Sequence, residues 1–117
     1  MRSLARFVLA PPLVFAGLAC SGTAGPPACE DPQTTSSVEM VDFDYTPACV
    51  QAEAGTDLRV VNADSSVHTY SVKDTGLSLD LPAGDEGSLT LAGVIAGTTY
   101  RVHCIYHPEM TAALKIV

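Results

Sequence analysis

Cys104, His107 and Met110 lie in the run Cys104-Ile105-Tyr106-His107-Pro108-Glu109-Met110, a thiolate, an imidazole and a thioether spaced C-x-x-H-x-x-M. If they act together, the chain must fold so that a distant donor meets them. His68, far upstream at the end of a predicted strand, is that donor, and two His, one Cys and a weak Met form the ligand set of a blue copper centre. The residue types fit the chemistry. Soft sulfurs favour Cu(I), imidazole accepts Cu(I) or Cu(II), and a near-trigonal His2Cys plane with a distant Met lets the ion change oxidation state with little ligand movement. Pro108 fixes φ just after His107 and narrows the conformations open to a ligand loop. Taken singly, each residue has an ordinary use: Cys104 as a small buried hydrophobe, His107 in a surface turn, Met110 as core filling. The spacing and the presence of His68 favour the metal.

The N-terminus sets the compartment. Met1-Arg2-Ser3-Leu4-Ala5-Arg6 is a positive leader followed by an apolar run over residues 7–19 that ends in small residues, the pattern of an export signal at residues 1–19. It is too short to span a bilayer, and Pro11-Pro12 would break a helix there. Cleavage before Cys20 would leave a cysteine for lipid attachment, with Gly17-Leu18-Ala19 ahead of it; ordinary cleavage near Ala19 competes. The expected location is exported, periplasmic or at the cell surface, with a lipid anchor as an option.

Four cysteines are present. With Cys104 assigned to metal and Cys20 to lipid, Cys29 and Cys49 are left as a candidate disulfide suited to an oxidising compartment, the alternative being two free thiols. Residues 20–37 are rich in Ser, Thr, Gly and Pro and read as a flexible tether.

From residue 38 the pattern changes to short β-rich runs, at 38–43, 57–61, 67–72, 87–91, 99–104 and 113–117. Several alternate apolar with polar, as strands with one buried face do. Turn signals at 53–56, 82–85 and 96–97 separate them. The expectation is an all-β, two-sheet antiparallel sandwich over residues 38–117, small enough to gain from a metal and a disulfide.

Four stretches carry a family resemblance: Ala54-Gly55-Thr56; Asn62-Ala63-Asp64-Ser65-Ser66-Val67-His68-Thr69; Gly97-Thr98-Thr99-Tyr100; and the run from Tyr100 through Met110. In these the chain resembles the cupredoxins, the small blue copper proteins, and is most similar to the amicyanin and plastocyanin group. Two residues between His107 and Met110 match the short amicyanin-like loop. The resemblance implies a Greek-key β-sandwich with one copper at one end, held by His68, Cys104, His107 and Met110. It further implies that His107 reaches the surface as the electron port, and that Asn62 ties the two ligand-bearing loops together. His103 should point to the opposite side of its strand from Cys104. Two residues depart from the pattern. Ile105 replaces a frequent hydroxyl side chain, and Glu109 places a carboxylate where relatives present an apolar docking patch.

Without Arg2 and Arg6, four basic residues face 13 acidic ones. That balance excludes nucleic acid as a natural partner and suits a redox donor and acceptor with a basic docking patch. The expected protein is a monomeric single-electron carrier, not an enzyme. The alternative is a copper storage or delivery protein without redox cycling. A nitrite reductase or multicopper oxidase would need more histidines and more chain, and a zinc site would not favour Met110.

Overall fold

The computed structural model describes residues 28–117, so the signal expected at 1–19, Cys20 and the first part of the tether lie outside the described residues. Ten strands run in chain order: β1 Gln33–Thr34, β2 Ser37–Val41, β3 Asp44–Thr46, β4 Cys49–Ala52, β5 Asp57–Asn62, β6 His68–Val72, β7 Ser78–Leu81, β8 Glu86–Thr90, β9 Thr99–Cys104 and β10 His107–Ile116. They form a sandwich of a six-stranded sheet, ordered β1-β4-β10-β9-β6-β7, and a four-stranded sheet, ordered β3-β2-β5-β8. The two-sheet all-β architecture is the one expected.

Alternation builds the core. In β5 the side chains of Leu58 and Val60 turn inward while Asp57 and Arg59 face water, and β2 buries Val38 and Met40 in the same way. These pack against Tyr70, Val72, Val102, Leu114 and Ile116 of the other sheet, as a sandwich with one solvated side to each sheet requires. Gly55, Gly84 and Gly97, within the three turn signals, all have positive φ, a conformation that costs glycine little.

Two expectations are corrected. The sheets are mixed, because β4 pairs in parallel with both β1 and β10, and β2 with β5. Sheet-crossing connections set these directions, and one-strand periodicity carries no information about them. The boundary at residue 38 also falls inside an element. Gln33 and Thr34 pair with Val50 and Gln51, and Cys29 is disulfide-bonded to Cys49 with Cα atoms 5.4 Å apart, so the later part of the expected tether is knit into the sheet edge. The bridge spans 20 residues of sequence, and loop-closure entropy assigns such a link about 3 kcal/mol. Replacing Cys29 and Cys49 together with Ser is expected to lower the melting temperature by roughly 10–20 °C; a calorimetric shift of under 2 °C would show that the bridge does not restrain the unfolded chain.

Candidate metal centre

The sequence places three potential ligands on two elements that meet at one end of the sandwich. β9 ends at Cys104 and β10 begins at His107; the two residues are paired across the ladder, with only Ile105 and Tyr106 between them. The expected loop is therefore a tight hairpin followed by a bulge. The register moves from His107 opposite Cys104 to Thr111 opposite His103, which leaves residues 108–110 without ladder partners. Proline lacks an N–H to donate, and a bulge is where a strand tolerates it. Pro108 and Glu109 face solvent, whereas Met110 is 1% exposed and joins the core cluster that includes Cys104.

His68 begins β6, in the same sheet as β9. Its Nδ1 lies 3.2 Å from His107 Nδ1 and 3.9 Å from Cys104 Sγ, and the sulfur is 3.5 Å from His107 Nδ1. All three ligand atoms fall within 4.8 Å of one another. Such a triangle fits one ion at ordinary metal–ligand lengths of roughly 2.0–2.3 Å. His68 is fully buried and Cys104 nearly so, while His107 is half-buried. Among the described residues, Cys104 is the free cysteine.

Three neighbours shape this end, and sequence spacing pointed to none of them. Asp64 is the first. Its Oδ2 lies 2.7 Å from His68 Nε2, and its two carboxylate oxygens accept the backbone N–H groups of Asp42 and Phe43 at 2.8 and 2.9 Å. Burial pushes the Asp64 carboxyl up, but the Phe43 N–H, His68 and the Asp42 N–H together hold it below the ordinary carboxylate range. A carboxylate on Nε2 assigns the proton to that nitrogen and leaves the Nδ1 lone pair facing Cys104 and His107.

Phe43 is the second. Asp42 and Phe43 are the central pair of the two-residue β2–β3 hairpin, closed by Val41 opposite Asp44, with φ of 53° and 56°. Left-handed φ suits such a turn but is rare for a bulky side chain. The Asp64 carboxylate holds both amides in place and seats the Phe43 ring edge-on against His68 and His107, with centroids 5.1 and 4.9 Å away.

Thr69 is the third. Its N–H points to Cys104 Sγ at 3.4 Å, its hydroxyl accepts the Ile105 N–H at 3.0 Å, and its carbonyl accepts the Tyr45 hydroxyl at 2.5 Å. Burial pushes the Tyr45 phenol up, keeping it a donor. Thr69 thus joins the two ligand-bearing segments, the role expected of Asn62. Asn62 is fully buried but bonds elsewhere: its amide nitrogen donates to the carbonyls of Ser66, Leu81 and Pro82, and its oxygen accepts the Asp64 N–H at 3.0 Å. It shapes the segment that carries Asp64 and His68. Asn62 ends β5 in the four-stranded sheet, whereas Thr69 follows His68 on β6 and bonds both Cys104 and Ile105.

The family model described as "Cupredoxin-like domain" matches residues 12–117. Among solved structures, a copper-containing nitrite reductase from Thermus scotoductus SA-01 superposes with a TM-score of 0.58 at 21% identity, covering 80% of this chain but only 25% of the reductase. A purple cupredoxin from Nitrosopumilus maritimus gives a TM-score of 0.58 at 21% identity, over 69% of this chain and 98% of that one. The reduced W45Y mutant of amicyanin gives 0.57 at 22% identity, over 69% and 80%. No curated protein matches the sequence. At such identities the neighbours show the fold alone.

Proposed function

Because this chain belongs to the cupredoxin-like family, we propose that it is a mononuclear copper protein that carries single electrons between redox proteins. The convergence of His68, Cys104 and His107 donors within 4.8 Å carries this reading. In it, Met110, buried in the bulge and in the core cluster that includes Cys104, would add a weak thioether donor. When bound, copper supplies a one-electron couple between Cu(I) and Cu(II). The chain's own residues do the rest. Asp64 orients the His68 ring, the Thr69 N–H stabilises negative charge on Cys104, and the Phe43 ring covers both imidazoles against water.

His107 is the electron port in this reading. Phe43, Ile105 and Tyr106 around it are each about half exposed, at 51%, 55% and 48%, and would give a redox partner an apolar landing surface. Glu109 beside them favours a partner that offers a cation. The carrier works outside the cytoplasm, after removal of residues 1–19, with Cys20 as the candidate lipid anchor. It is not an enzyme.

Metal-free protein given Cu(II) is expected to develop an intense thiolate-to-copper charge-transfer band in the visible and a reversible one-electron wave in voltammetry. A colourless, redox-silent complex that yields its copper to a mild chelator would instead mark a storage or delivery protein.

A further inference from the structure

Two hairpins flank the metal centre, and they are held differently. The ligand hairpin at Ile105 and Tyr106 is pinned from neighbouring strands: the Thr69 hydroxyl accepts the Ile105 N–H at 3.0 Å, and the Tyr106 hydroxyl donates to the Asp80 carboxylate at 2.6 Å. The other is the turn at Asp42 and Phe43, between β2 and the three-residue edge strand β3. The Asp64 carboxylate accepts both amides of that turn, in bonds exposed to water.

The turn also runs against its own sequence. Its φ angles of 53° at Asp42 and 56° at Phe43 are a conformation that Gly adopts freely, Asp and Asn tolerate and a bulky side chain resists. Two-residue hairpins of this kind favour Asn-Gly or Asp-Gly. Phenylalanine in the second place therefore strains the turn, and its ring is the part that meets the metal centre, with centroids 5.1 Å from His68 and 4.9 Å from His107. His68, Cys104 and Met110 are each at most 1% exposed, whereas Phe43 is 51% exposed. The ring stands between the two imidazoles and solvent.

We propose that the Asp42–Phe43 turn is the gate through which the metal ion enters and leaves, with the Asp64 carboxylate as its latch. This rests on the copper reading above and adds to it the route and control of metal exchange. With the ligand hairpin pinned from two strands, the strained turn is the part that opens with least loss. It gives up exposed amide bonds that water replaces, and release of the left-handed backbone offsets part of the cost. A ring that blocks the way but offers the ion no donor atom slows entry and exit alike. Affinity then stays with His68, Cys104 and His107, while the turn sets how fast copper is gained or lost.

Phe43→Gly and Phe43→Asn remove the ring with residues that suit the turn backbone. In metal-free protein both should speed iodoacetamide labelling of Cys104, located by mass spectrometry, by about 10-fold. Phe43→Tyr, which keeps the ring, should label at the wild-type rate. So should Leu91→Ala, a cavity in the buried core beside Thr56, at the end of β5 away from the metal. Cu(II) uptake, followed by its visible band, and release to a chelator should quicken together in Phe43→Gly, with affinity unchanged. Unaltered labelling and exchange in folded Phe43→Gly would overturn the gate. Faster release without faster uptake would also overturn it, by making Phe43 a clasp on the bound ion. Equal acceleration by Leu91→Ala would do the same, by placing access in global opening. If the wild-type protein takes up no copper while Cys104 labelling still responds to Phe43, the gate over the cysteine stands and the copper reading alone falls.

Discussion

Cys104→Ala is expected to abolish the visible charge-transfer band and to weaken copper binding by well over 100-fold. The sulfur is the donor with no substitute: among the described residues Cys104 is the free cysteine, and its Sγ lies within 4 Å of both imidazole nitrogens. Loss of a ligand must exceed the roughly 10–100-fold that loss of a residue behind a ligand costs. The apo fold should survive. Alanine fits wherever cysteine fits, and the space left by one sulfur in a packed core costs on the order of 1–2 kcal/mol. Circular dichroism of the metal-free variant separates the two effects. Colour that persists in a folded Cys104→Ala protein would refute the assignment, because among the described residues no other free thiol is placed to give it.

The clustering of Cys104 with His107 was legible for a physical reason. One hairpin carries both, and its bulge carries Met110, the further donor of the proposed set, so their spacing is visible in the chain. His68 was legible only through its chemistry and its place beside a predicted strand. The strands expected at 57–61, 87–91 and 99–104 match β5, β8 and β9 to within a residue at each end, since each buries one face and alternates cleanly. β4 and β7 lacked that signal: β4 has two consecutive buried residues, Cys49 and Val50, and β7 is short with a single buried side chain. Residues 38–43, expected as one strand, instead run into the turn at Asp42 and Phe43. Nothing in the local sequence announces positive φ at a phenylalanine. The cause is Asp64, 21 residues further on, whose carboxylate takes the Phe43 amide. Thr69 was missed for the same reason, because its contacts with Cys104 and Ile105 cross 35 and 36 residues. A ligand set leaves a spacing signature; the groups that aim the ligands leave none.

Asp64→Ala should therefore produce the largest effect of any change outside the ligands. The carboxylate joins three things: the Nε2 proton of a fully buried histidine, the two amides of a left-handed turn, and through that turn the Phe43 ring over both imidazoles. Losing a hydrogen bond to a charged group costs about 1.5–3 kcal/mol. The Asp42 and Phe43 amides are exposed enough for water to replace their partner, so the turn adds less, and a total near 2–3 kcal/mol is expected for the metal-free fold. Copper affinity should fall a further 10–100-fold, about the usual cost of releasing a ligand histidine from its carboxylate. Asp64→Asn should fall between, since its amide oxygen still accepts from Nε2 but its NH2 group faces an amide donor. Chemical denaturation of the apo proteins and competitive copper titration measure the two quantities separately. If Asp64→Ala lost stability without affinity, the carboxylate would serve the turn alone and the His68 tautomer would be fixed by something else. If it lost neither, the link from Asp64 through Phe43 to the metal site would be wrong.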